Sequence, residues 1–181
     1  MLDFFFYGTL LDDDVRAAVL GRAAPACAPV PAVLTGFRRV PVAGHSFPML
    51  IADPRGRVEG ALVAGLDAAA AARLSYFEGA EYDPLLRPVV DAAGARHDAW
   101  VFVPAPRQPF MPGLRPRPGR WDLASWQRRH NARYLRDLRP AMAAASAARL
   151  AELRRAWEDR ARHPAKSAAP RPSGAGRVFP G

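Results

Sequence analysis

The sequence has a single cysteine, Cys27, among its 181 residues. That excludes an internal disulfide and a thiolate metal cluster, and it points to a reducing compartment. The thiol lies in Ala-Pro-Ala-Cys-Ala-Pro with no base beside it, so it reads as inert. The four histidines are scattered singly. Neither a metal nor a cofactor is expected, and the acidic triplet Asp12-Asp13-Asp14 reads as the first turn of a helix rather than a metal site. No apolar run approaches the ~20 residues that cross a bilayer. The N-terminus has no basic leader segment, and Asp3 and Asp12 interrupt its apolar start. The expectation is a cytoplasmic protein with no membrane partner.

Lysine is almost missing as well, because arginine supplies 25 of the 26 basic residues. Alongside abundant alanine, this bias weakens any argument from the formal charge of +9. The charge is unevenly placed. Residues 1–104 hold 9 arginines and 12 acidic residues, a net of −3, whereas residues 105–181 hold 17 basic and 5 acidic residues, a net of +12. Hydrophobic residues make up 50% of the chain, enough for a globular body, and the length suits one domain with an extension. The expected organisation is a domain over 1–104, a Pro/Arg-rich linker over 105–121, a helical extension over 122–163 packed on or near the domain, and a disordered basic tail over 164–181.

The stretch Phe4-Phe5-Phe6-Tyr7-Gly8-Thr9-Leu10 carries most of the functional information. Consecutive aromatics without polar alternation predict a short strand buried on both faces, and Gly8 predicts a tight loop after it. With access to positive φ and no Cβ to block close approach, Gly8 would let successive N–H groups point into one anion-binding concavity. A helix follows from the acidic triplet to Gly21, then a connector over 22–31. Strand character returns over 32–42. Segments 49–52 and 58–66 flank Asp53-Pro54-Arg55-Gly56, which has the residues of a type I turn and predicts a hairpin. Asp67 should cap a helix that Gly79 ends, placing Glu78 in or just after its last turn. Strands over 85–90 and 99–103 form a second hairpin around Ala93-Gly94. Short strands with interposed helices give an α+β fold. In the extension, Asp122 should cap a helix with Leu123, Trp126, His130, Tyr134 and Leu138 on one stripe. Pro140 should open a second helix with a Leu150, Leu153 and Trp157 seam, making a helical hairpin.

Tyr-Gly-Thr-Leu after an aromatic strand resembles the opening motif of the γ-glutamylcyclotransferase-like (AIG2-like) family. The resemblance continues through Leu34-Thr35-Gly36-Phe37-Arg38-Arg39, Phe47-Pro48-Met49-Leu50, Val58-Glu59-Gly60-Ala61-Leu62-Val63 and Tyr76-Phe77-Glu78-Gly79-Ala80-Glu81-Tyr82. It implies a small mixed β-barrel-like sheet with flanking helices. It also implies an enzyme that releases 5-oxoproline from a small γ-glutamyl amine, amino acid or peptide, the substrate's own α-amine attacking its γ-carbonyl. Tyr7, Gly8, Thr9 and Leu10 match the family's substrate-binding loop, Glu78 its catalytic glutamate, and Tyr82 a pocket-lining tyrosine. The placement of Glu78 makes chemical sense beside this, since apolar neighbours and a helix C-terminus both raise a carboxyl pKa toward that of a working base. Glu81 is the rival carboxylate. A glycosidase pair with Glu78 is disfavoured, because such pairs usually come from separate elements. Arg38, Arg39 and Arg87 are candidates for a second substrate carboxylate, with solvated strand arginines as the default. Two other readings stand beside the enzyme: a non-catalytic small-molecule binder of the same fold, and a protein docking RNA or an acidic partner through the basic extension. The extension has no recognisable nucleic-acid motif, which argues against the second.

Overall fold

A computed structural model describes residues 1–21, 28–105 and 114–164. Cys27, most of the connector, the middle of the linker and the tail from 165 onward lie outside the described residues. The first strand, β1 (Leu2–Phe6), is buried on both faces as its aromatic run requires. A 3-10 turn at Thr9–Leu11 leads into α1 (Asp13–Leu20), which Asp12 caps through its side chain and Gly21 ends. Then come β2 (Val30–Pro41), β3 (Pro48–Leu66), α2 (Ala68–Glu78), β4 (Tyr82–Asp91), β5 (Arg96–Pro104), α3 (Leu123–Ala143) and α4 (Ala147–Arg162). The strands close into a barrel in the order β1-β3-β2-β4-β5, antiparallel except where β1 meets β5.

The expected hairpin at Asp53-Pro54-Arg55-Gly56 is not a reversal. Ala52 pairs with Phe37 and Arg57 with Thr35, so both halves of β3 run along the same partner strand and the four residues bulge out between them. The turn chemistry is satisfied locally, with Asp53 Oδ1 accepting from the Arg55 N–H at 3.1 Å, while the chain keeps its direction. The reversal lies instead at 42–47, between β2 and β3. The hairpin at Ala93-Gly94 is as expected, closed by bonds from Ala93 and Ala95 to Asp91 Oδ1.

Two cores result. Phe5 and Tyr7 point into the barrel with Leu34, Leu62 and Val101, whereas Phe4 and Phe6 face the helices with Leu74, Phe102 and Trp157. Asp122 and Ser146 cap α3 and α4. Pro140 does not open a helix but sits inside α3, one turn from its end, where the Ala144 N–H still reaches its carbonyl. A proline there removes one bond, the one its own N–H would make to the Arg136 carbonyl, and leaves only the last turn beyond it. His130, placed by its spacing on the apolar stripe, is exposed, and Leu135 takes a buried place instead.

α4 lies along α2, and α3 along α1. Trp157, fully buried, sets its ring edge-on to Phe4 at 5.2 Å and Trp100 at 5.0 Å, and donates Nε1–H to Ser75 Oγ at 2.8 Å. Trp157→Ala should therefore cost ~3–5 kcal/mol in urea unfolding. A loss below ~1 kcal/mol would show that α4 is not part of the core.

Candidate active site

A concavity of about 90 Å³ opens where β1 ends. Its walls are the backbone and side chains of Tyr7 to Leu10, the segment Phe47-Pro48, the end of α2 with Phe77 and Glu78, Glu81 and Tyr82 at the start of β4, Phe102 of β5, and Tyr134 of α3. All six residues singled out for the site therefore meet in one place.

The loop is held from three directions. The Leu11 and Asp12 N–H groups close the turn onto the Gly8 and Thr9 carbonyls, both at 3.0 Å, so the amides ahead of them have no partner within the turn. Arg39 Nη1 donates to the Tyr7 carbonyl at 2.8 Å, with its guanidinium 5.2 Å from the Trp121 ring. Arg38 instead faces Asp53, and Arg87 donates to the Leu86 carbonyl, so none of the three strand arginines lines the concavity. Gly8 corrects an expectation. Its φ is −121°, not positive, and its value lies in close approach: a Cβ there would sit 3.3 Å from Pro48 Cγ.

The Tyr7 hydroxyl donates to the Phe102 carbonyl at 2.8 Å, which leaves its backbone rather than its phenol for a ligand. Tyr82 is buried, its hydroxyl 3.4 Å from the Pro48 carbonyl. Burial, helped by the nearby Glu78 charge, holds the pKa of both phenols above the ordinary tyrosine range, so they remain donors. Tyr134 was read only as part of an apolar stripe. It hydrogen-bonds with the Thr9 side chain, and burial raises its pKa to about 12. Its placement could have been found in the spacing of Gln127, Asn131 and Tyr134, which share one helical face. The first two donate to the buried Asp12 carboxylate at 2.7 and 3.3 Å and so bring the third over the loop.

Glu78 is the last residue of α2, followed by Gly79 at φ 67°. The residue is half-buried, but protein crowds its carboxyl, and desolvation raises its pKa to about 8. Glu81 lies at the same mouth and is exposed. Among the described residues no group of His, Cys, Asp or Glu could hold a metal, and no helix is long and apolar enough to cross a membrane.

The family model described as gamma-glutamyl cyclotransferase, AIG2-like, matches residues 4–123. The chain belongs to that family. It is 27% identical over 140 residues to Protein AIG2 C of Arabidopsis thaliana, covering 75% of this chain and 78% of the relative. Over a shorter span of 81 residues it is 35% identical to AIG2-like protein C of the same plant, 45% of each chain. Its fold is similar to a solution structure from Arabidopsis thaliana, with a TM-score of 0.54 at 22% identity, covering 97% of this chain and 95% of that one. It is also similar to a solved gamma-glutamyl cyclotransferase, with a TM-score of 0.52 at 14% identity, covering 76% and 85%.

The pKa of Glu78 makes stability depend on pH. Because it is raised from an ordinary 4.5 to about 8, the folded chain keeps a proton that the unfolded chain has already released between those values. The contribution is full below pH 4.5 and is lost as pH rises through 8. Across this window the Tm of the native protein should fall relative to that of Glu78→Gln, which does not titrate. Parallel Tm profiles would show that the carboxyl is solvated.

Proposed function

We propose that this protein is a cyclising acyltransferase that releases 5-oxoproline from a small γ-glutamyl amine, amino acid or peptide. The observation that carries this reading is the desolvated carboxyl of Glu78 facing the loop at Tyr7 to Leu10 across one small pocket. The glutamyl α-carboxylate would lie against the loop amides, fixing one end of the substrate chain. That converts the attack into a reaction between groups already held at bonding distance. Glu78 takes a proton from the α-ammonium, and the freed nitrogen adds to the carbon of the γ-carbonyl to close a five-membered lactam, shedding its second proton as the ring forms. The bond to the leaving nitrogen then breaks, with Glu78 returning its proton to that nitrogen. Atoms balance without any co-reactant, and one carboxyl serves as base and then as acid. Tyr134, protonated throughout, is available as a donor to the oxygen on which charge develops.

Incubation with a panel of γ-glutamyl amines, dipeptides and glutathione, followed for 5-oxoproline, tests the activity. Glu78→Gln should keep binding and lose about 10²–10⁴-fold in kcat, while Glu81→Gln should cost far less, with Tm measured for both. Loss on Glu81→Gln alone would transfer the role to that residue. Binding without product in the native protein would mark a non-catalytic binder. With Glu78 ionising near pH 8 in the empty site, kcat/KM should rise about tenfold per pH unit below that value and then level off; a flat profile from pH 6 to 9 would remove it as the base. Gly8→Val, which would push against Pro48, should raise KM in folded protein; an unchanged KM would mean that the loop does not touch substrate.

A further inference from the structure

A second cavity of about 560 Å³ adjoins the first, with Tyr134 forming part of the wall of both. Its lining includes Arg117, from the segment before α3, Arg133 of α3, His45 and His130. Its one acid among the described residues is Asp137, whose carboxylate is shared between Arg133 at 4.0 Å and Arg136 at 3.4 Å. The inner pocket is the reverse: among the described residues its lining holds the carboxyls of Glu78 and Glu81 and no basic side chain. Sites that enclose small molecules run to about 300–1,000 Å³. The inner pocket alone falls short of that range, and the outer one, which shares its Tyr134 wall, is placed to take the far end of a longer leaving group.

Resting on the cyclotransferase reading, we propose that the outer cavity binds the terminal carboxylate of the leaving peptide. γ-Glutamyl peptides would then be preferred over γ-glutamyl derivatives of neutral amines. A carboxylate close to the scissile nitrogen would lie beside Glu78 and Glu81 and be repelled. Each residue added to the leaving group moves it ~3.5 Å outward, toward Arg117 and Arg133. Guanidinium groups suit a carboxylate through paired, charge-assisted hydrogen bonds.

The test compares a γ-glutamyl dipeptide bearing a free terminal carboxylate with its terminal amide, on the native protein and on the Arg117→Ala/Arg133→Ala double variant. Both arginines are exposed, so the variant should fold. In the native protein the acid should show a KM on the order of tenfold below that of the amide, at similar kcat. The double variant should erase the difference while leaving turnover of the amide unchanged. Equal KM values in the native protein, or a difference that survives the double substitution, overturn the outer site and leave the cyclotransferase reading standing. If neither peptide yields 5-oxoproline, that reading fails, and calorimetric titration of the same two peptides decides the cavity separately. Tighter binding of the acid, lost in the double variant, upholds it; equal binding or none overturns it.

Discussion

Strand β1 must be covered on both faces, and the rest of the architecture follows from that constraint. Phe5 turns into the barrel, where Leu34, Leu62 and Val101 enclose it, while Phe4 and Phe6 turn outward. A closed barrel can bury only one face of a strand, so the other face needs helices. α2 and α4 supply them, with Trp157 against Phe4, Trp100 and Phe102. Gly60 on the neighbouring strand shows how tightly β1 is held, since a Cβ there would lie 2.2 Å from the Phe6 carbonyl oxygen. A strand fixed in this way delivers its last residue, and the loop that follows, to one defined place. That order is what a pocket built on backbone amides requires.

The loop's other anchor is a buried charge. Asp12 is 4% exposed, which would be costly for a lone carboxylate, but it caps α1 through the Val15 N–H and accepts from Gln127 and Asn131. Buried charge is tolerated where hydrogen bonds replace water. Here the replacement also joins α1, the loop and α3 into one unit. Tyr134, two turns beyond Gln127, then meets Thr9 as a geometric consequence.

Features written in local sequence were legible. The aromatic strand, the acidic start of α1, the caps at Asp67 and Asp122, and the glycines that end α1 and α2 are all short-range signals whose physics acts within one turn. Features that depend on distant partners were not. Asp53-Pro54-Arg55-Gly56 satisfies turn chemistry, but register against β2 determines whether the chain reverses, and that register is set across the sheet. Gly8 is explained by the nearness of Pro48, forty residues away, and not by its own φ. Arg39 reads as a solvated strand residue until the Tyr7 carbonyl and Trp121 are brought beside it. Tyr134 lies beyond the matched residues 4–123, so no motif pointed to it.

The C-terminal helices consequently do more than cover the barrel. α4 reaches the pocket indirectly: Trp157 donates to the Ser75 side chain, and the Ser75 carbonyl accepts the Gly79 N–H that terminates α2. The helix end that carries Glu78 is thereby tied to α4. Where that helix stops matters electrostatically, because the C-terminal end of the helix disfavours a negative charge and adds to the desolvation already acting on the carboxyl. The uneven charge along the sequence then has a spatial counterpart. Glu78 and Glu81 of the N-terminal part line the inner pocket, and arginines of the C-terminal part stand beyond Tyr134. The two charge populations of the sequence thus meet on opposite sides of one tyrosine.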